Sequence, residues 1–213
     1  MRSIRGSTVA IALLAATAAI SGPAAGQERW LVRARAVRLV PADNSTAIPA
    51  LGVPEDAIDV SSKTIPDVDI TYFVTPNIGI ELVLTVPQKH DVSIDGVGRI
   101  GSFKHLPPTL LAQYHFLPDA RFSPYVGAGI NYTIIYDDKI TVPGVGNLRT
   151  ENSSIGPAVQ IGADYHLDRN WLLNVDFKYI GLRTDVKVES TATKVTEVKV
   201  DPFLFGIGIG YRF

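Results

Sequence analysis

The sequence predicts an all-β fold, an eight-stranded antiparallel transmembrane β-barrel, and three observations lead there. The chain ends on a strand, Val200 to Phe213. In it Phe203, Phe205, Ile207, Ile209, Tyr211 and Phe213 alternate at period two with Leu204, Gly206, Gly208, Gly210 and Arg212. One face is bulky and apolar, as lipid requires, and the other is small enough to look into a narrow lumen. Seven earlier segments repeat the alternation, and the connections between them are alternately short and long. Finally, the faces opposite the apolar ones carry Arg33, Arg35, Asp67, Asp69, Glu81, Gln113, Asp164, Asp176, Lys178 and Arg212. A soluble lipocalin-like barrel would have to bury these in a dry core while showing water an uncharged exterior.

The strands follow in order. In the first, Trp30, Val32, Ala34 and Ala36 face outward against Leu31, Arg33 and Arg35; the phase blurs over Val37 to Val40, where a bulge is expected. The second sets Val68, Ile70, Tyr72 and Val74 against Asp67, Asp69, Thr71 and Phe73. The third sets Ile78, Ile80, Leu82, Leu84 and Val86 against Gly79, Glu81, Val83 and Thr85. In the fourth, Leu110, Ala112, Tyr114 and Phe116 oppose Thr109, Leu111, Gln113 and His115. The fifth carries Val126, Ala128, Ile130, Tyr132, Ile134 and Tyr136 against Gly127, Gly129, Asn131 and Thr133. The sixth carries Ile155, Val159, Ile161, Ala163, Tyr165 and Leu167 against Gln160, Gly162, Asp164 and His166. The seventh carries Trp171, Leu173, Val175, Phe177 and Tyr179 against Leu172, Asn174, Asp176, Lys178 and Ile180. The terminal strand is the eighth, and an even count lets an antiparallel meander close on itself.

The connections at Pro76-Asn77, Leu117 to Arg121 and Asp168 to Asn170 are tight, whereas 41–64, 88–103, 137–152 and 183–199 are long. Outer-membrane barrels have short periplasmic turns and long extracellular loops, so both termini are expected in the periplasm of a bacterial outer membrane. The aromatics agree. Trp30, Tyr72, Tyr114, Phe116, Phe122, Tyr125, Tyr165, Trp171, Tyr211 and Phe213 gather at the periplasmic ends as an inner girdle, and Tyr132, Tyr136, Tyr179 and Phe203 form a sparser outer one.

The first residues read as a secretory leader. Arg2 and Arg5 precede an apolar and small run from Val9 to Ile20, and Ala24-Ala25-Gly26 offers a cleavage site. That run is shorter than the roughly 20 apolar residues of a spanning helix. The expected organisation is a signal peptide over 1–26 and a barrel with four long extracellular loops over 27–213. Without Arg2 and Arg5, 18 basic residues face 21 acidic ones, a net charge of about −3, so nothing recruits nucleic acid. The chain has no cysteine, which excludes disulfides and thiolate sites.

No catalytic, cofactor or metal site is expected. His115 and His166 lie on strands four and six with another strand between them, while His90 and His105 lie toward the outer side; the spacing is not that of a ligand set. Ser102 near His105 is the nearest approach to a nucleophile and base, but residues three apart on a strand end face opposite ways. Gly206, Gly208 and Gly210 precede no helix, so they are not a phosphate cradle. Asp137-Asp138 and the charges of 187–199 read as solvated loop residues. Val186, Val188, Val195, Val198 and Val200 suggest that strands seven and eight continue as a hairpin beyond the membrane.

The run GSFKHLPPTLLAQYHF from Gly101 to Phe116, FSPYVGAGINY from Phe122 to Tyr132, NIGIEL from Asn77 to Leu82 and the stretch Gly206 to Phe213 resemble the OmpW family of small outer-membrane proteins. The resemblance covers the mature chain. It implies an eight-stranded barrel for passive movement of small, mainly hydrophobic molecules, with a constriction of bulky apolar side chains and sideways exit through the wall. The constriction leucine of strand three falls on Val83 here, and the strand-seven aromatic falls on Lys178. Glu81, Val83, Leu111 and Lys178 are therefore the candidate constriction, with Lys178 paired to Glu81 and Asp176 as a charged plug, because an unpaired ammonium there would be costly.

Pro107, Pro108 and Pro157 lie near the outer ends of strands four and six, where each removes a ladder donor. They end the strand or mark a rim bulge, or they open a lateral window. The expected partners are outer-membrane lipid, a small hydrophobic solute, and the barrel-assembly machinery reading the terminal Phe213. The competing reading is a plugged structural or receptor-type barrel acting through its extracellular loops, with the three glycines of strand eight giving clearance to lumen residues such as Lys178 or Arg33.

Overall fold

The computed structural model describes residues 28–42, 44–45, 58–94, 98–142, 146–188 and 194–213. The expected leader over 1–26 lies outside these residues, as do parts of the loops and the side chains of Asp137, Asp138 and the valines from 186 to 198.

Eight strands form the barrel: Trp30–Val40, Lys63–Phe73, Ile78–Thr85, Thr109–His115, Phe122–Val142, Ser153–His166, Trp171–Ile180 and Phe203–Arg212. Each pairs antiparallel with its sequence neighbours. Strand one then pairs with strand eight from Leu31↔Arg212 to Val40↔Phe203, which closes the cylinder. Below that ladder Trp30 and Phe213 exchange both backbone hydrogen bonds, at 2.9 and 2.8 Å. Closure leaves no exposed edge in a medium that offers no hydrogen bonds.

Period-two alternation decides which side chains meet lipid. Ile130, Ile155, Ile161, Phe205 and Ile207 point outward and are exposed, while the residues between them are small or buried in the lumen. Trp30 packs on Tyr72 at 4.8 Å, Tyr114 on Phe116 at 5.2 Å and Trp171 on Tyr211 at 5.0 Å, all near the short-turn end. Tyr179 and Phe203 meet at 5.3 Å toward the other end.

Two expectations are corrected. Strand one has no bulge: its register with strands two and eight runs unbroken through Val37 and Leu39, which are both buried in the lumen. The blurred phase arises because the lumen itself turns apolar at that height, so inward and outward residues look alike. Tyr125 does not belong to the inner girdle. It is 0% exposed inside the barrel, because its strand neighbour Val126 takes the lipid-facing phase.

The tight turns are built from local chemistry. Asp168 Oδ1 accepts from the backbone of Asn170 at 2.9 Å and Trp171 at 2.8 Å, an Asx-type turn. The long connections contain strands of their own. Gln88–Ile94 pairs with Gly98–Leu106, and Arg183–Val188 pairs with Lys194–Lys199, so strands seven and eight do continue as a hairpin above the barrel.

Candidate functional site: a layered lumen

Three layers fill the lumen along its axis. At the periplasmic end Leu31, Phe73 and Leu172 form a small apolar cluster, with the Arg212 guanidinium 4.5 Å over the Phe73 ring. These residues come from strands one, two and seven, at the inward positions nearest the short turns.

The middle layer is ionic. Register sets Arg33 directly across from Asp69, and Arg35 across from Asp67. Arg33 reaches Asp69 at 3.0 Å, Asp164 at 2.9 Å and Glu81 at 3.6 Å, and donates to Thr71 Oγ1 at 3.1 Å. Arg35 reaches Asp67 and Asp69, both at 2.8 Å, and Glu81 at 3.5 Å. Lys178 pairs with Asp176, whose other oxygen accepts from Tyr125 Oη at 3.1 Å and Gln160 Nε2 at 2.6 Å. Asn174 donates to Asp164 at 2.8 Å and to Tyr125 Oη at 3.0 Å. Isolated charges at such burial would be prohibitive; paired and hydrogen-bonded from several strands, they form a rigid plug.

Glycine clearance serves the arginines. A Cβ on Gly210 would meet Leu172 at 2.6 Å and Arg33 Cγ at 3.1 Å. One on Gly208 would meet the Ala34 carbonyl at 2.1 Å and Arg35 Cγ at 2.6 Å. The three atoms nearest a Cβ on Gly206, Gly208 or Gly210 do not include any of Lys178, whose ion-pair partner is Asp176. Glu81 lies 3.6 Å from Arg33 and 3.5 Å from Arg35, and among the described residues it makes no contact with Lys178 within ion-pair distance, although Lys178 acts on it through space.

Above the ions the lumen is apolar. Val37, Leu39, Ile65, Val83, Leu111, Ala158, Ile180 and Leu204 form one buried cluster. A cavity of about 20 Å³ opens there, with Asp67 and Lys178 at its floor and Thr85, His105, Pro107 and Thr109 on one side. The four candidate constriction residues thus straddle a boundary: Glu81 and Lys178 lie in the ionic layer, Val83 and Leu111 in the apolar one. All four are buried.

The three candidate window prolines differ in setting. Strands three and four pair from Ile78↔Tyr114 to Val83↔Thr109, and pairing resumes only at Gln88↔His105 in the outer hairpin. Pro107 and Pro108 occupy the gap. Their carbonyls turn to strand five, accepting from Asn131 Nδ2 at 3.3 and 3.2 Å, and Pro108 also accepts from the Tyr132 N–H at 3.0 Å. Pro157 lies within a continuous register with strand five, and its carbonyl accepts from the Gly181 N–H at 2.8 Å.

Sequence spacing gives no reason to join His90 and His105, yet the outer hairpin stacks their rings at 4.9 Å with an interplanar angle of 9°. Phe103 packs against both, at 5.8 Å from each. His90 Nδ1 lies 2.8 Å from the Ser61 carbonyl. Burial, then the neighbouring His90 and Lys63, pushes His105 down to about 3; burial likewise lowers His90. The signal that could have found this pair is the hairpin register, which sets Gln88 across from His105 and His90 across from Phe103. Among the described residues no hydrogen bond joins Ser102 to His105, and no group of three or more His, Asp or Glu could hold a metal ion.

A closed eight-stranded barrel with an apolar, aromatic-girdled exterior and a polar interior is a bacterial outer-membrane β-barrel. The family model described as "OmpW family" matches residues 26–213, and the chain belongs to that family. It is 34% identical to outer membrane protein W of Escherichia coli, over 95% of this chain and 98% of that one. It is 25% identical to the dibenzothiophene metabolism operon protein PahQ of Pseudomonas aeruginosa, over 76% of this chain and 77% of that one. The crystal structure of OprG from Pseudomonas aeruginosa matches with a TM-score of 0.74 at 31% identity, covering 86% of this chain and 95% of that one. The solid-state NMR structure of AlkL in lipid bilayers matches with a TM-score of 0.69 at 27% identity, covering 90% and 94%.

Proposed function

We propose that the protein takes up small hydrophobic molecules passively, receiving them from the extracellular side into the apolar upper lumen and releasing them sideways into the bilayer. The observation that carries this reading is the juxtaposition at one height of an apolar chamber, an ionic floor and a break in the wall ladder. A solute moving inward meets side chains it can wet and then a layer of paired charges that it cannot desolvate. The unpaired stretch at Pro107 and Pro108 offers the lower-cost way out, since parting the strands there breaks no ladder bond. Pro157, on the far side of strand five, is the second candidate point in the same wall. The relationship to a protein of a dibenzothiophene metabolism operon supports an apolar cargo. Phe213, locked to strand one at the periplasmic end, is the group we assign to recognition by the assembly machinery.

The test is uptake of a long-chain alkane and of a small polar solute by cells with and without the protein, repeated with Lys178→Leu. Protein-dependent alkane uptake without polar flux is the expected result. Polar flux alone would sink lateral exit. No flux of either kind would favour a plugged barrel working through its extracellular loops, a reading the ion-paired middle layer also accommodates.

A further inference from the structure

The cavity above the ionic floor is not lined by hydrocarbon alone. On the side of the wall break, Thr85 Oγ1 and His105 Nδ1 are both buried and have no hydrogen-bond partner, and both residues line the cavity. His105 is 3% exposed, so its ring nitrogen cannot turn to bulk water. Buried polar atoms are nearly always satisfied, and two orphans on residues that line one small space point to a visiting partner that both side chains would turn to meet. A volume of about 20 Å³ suits a head of one or two heavy atoms and no more. Pro107, on the same lining, marks where the ladder between strands three and four is interrupted.

We propose, building on the uptake reading above, that this cavity seats the hydroxyl of an otherwise apolar molecule, an alkanol or a phenol. Its head lies between Thr85 and His105, and its tail passes through the break at Pro107 toward lipid. A hydroxyl both donates and accepts, which matches a neutral imidazole nitrogen on one side and a threonine hydroxyl on the other. An alkane leaves both atoms unpaired. A carboxylate is disfavoured for a different reason. In so small and buried a space it would give up its water shell, and the one cation on the lining, Lys178, is already paired with Asp176.

The experiment compares initial uptake of labelled dodecanol, dodecane and dodecanoate by cells carrying the full-length protein, Thr85→Val, Thr85→Ser or His105→Phe, each normalised to folded protein in the outer membrane. The protein as it stands should favour dodecanol over dodecane. That ratio should fall about tenfold in Thr85→Val, equivalent to about 1.4 kcal/mol, fall similarly in His105→Phe, and survive in Thr85→Ser. A ratio unchanged by both Thr85→Val and His105→Phe would mean that the two atoms bind only water, and would overturn the proposal while leaving hydrophobic uptake intact. Dodecanoate entering as fast as dodecanol would also overturn it. Absence of protein-dependent uptake for all three solutes would instead remove the uptake reading on which it rests.

Discussion

Below the height of Glu81 the lumen of this barrel is held by ion pairs that cross between strands one, two, three, six and seven; above Val83 it is held by aliphatic contacts and contains open space. Strands one, two, three, six and seven supply residues to both halves, and on three of them the change takes only two positions. Strand one changes from Arg35 to Val37, strand three from Glu81 to Val83, and strand seven from Lys178 to Ile180, all at the same boundary. On the uptake reading proposed above, the lower half secures the barrel and bars passage, whereas the upper half yields to a solute. Directional, fully desolvated charges resist displacement, while apolar contacts repack at modest cost.

Arg33→Met should do the most damage, because it strips Asp69, Asp164 and Glu81 of a common cation. Breaking a buried ion pair from one side costs about 3–5 kcal/mol, so urea unfolding in lipid vesicles should show a large loss of stability. A loss under about 1 kcal/mol would refute a structural role for the lower half. Leu111→Ala in the upper half should cost somewhat less, within the roughly 2–5 kcal/mol of buried leucine truncations. It should speed alkane uptake, where Arg33→Met should not; equal acceleration by the two variants would erase the distinction between the halves.

Gly208→Ala should destabilise by about 1–3 kcal/mol through overpacking, since its new methyl would collide with the Ala34 carbonyl and Arg35. Gly206→Ala meets nothing nearer than 3.4 Å and should be tolerated, so thermal denaturation of the two variants side by side tests the clearance argument.

Acidification should act at the top of the upper half. His105 in the folded protein is held near 3, below its ordinary 6.5, so between those values the unfolded chain binds more protons. The stabilisation contributed by the neutral ring is complete above about pH 6.5 and is lost as the pH falls toward 3. His90, lowered in the same direction, adds to it. The charges facing this pair are Lys63 and Asp91. Amide protection factors in the outer hairpin, Gln88–Ile94 with Gly98–Leu106, taken relative to the intrinsic exchange rate at each pH, should therefore fall at low pH in the native protein and much less in His105→Phe. Smallest of all should be Pro157→Ala, which slows alkane uptake less than Pro107→Ala with Pro108→Ala does, because the ladder at Pro157 is already continuous. The reverse ranking, read from initial uptake rates, would move the exit to the strand five and six side.

Much of this architecture is legible in the sequence. Alternation at period two assigns the lumen-facing residues of strands two to eight, since a slip of one position would put charges such as Asp69 or Asp176 into lipid. Strand one resists at Val37 to Val40 because both of its faces become apolar there, and Tyr125 resists because an aromatic near a membrane interface fits either the girdle or the lumen. The candidate constriction residues can be named one by one, but their partners cannot. Strand identity says that Glu81 faces inward, not whether it meets Lys178 or Arg33.

The class of fold, the number of strands, the side of the membrane on which the termini lie, and the list of charges that must share the lumen are all readable along the chain. These follow from local periodicity and the length of connections, which are properties of single segments. How those charges pair, where the ionic layer stops, which prolines coincide with a missing ladder, and the stacking of His90 on His105 emerge only in the folded barrel. Each of these depends on the stagger between strands and on closure of strand one against strand eight, and a closed barrel sets distances between residues far apart in the chain that no single segment encodes.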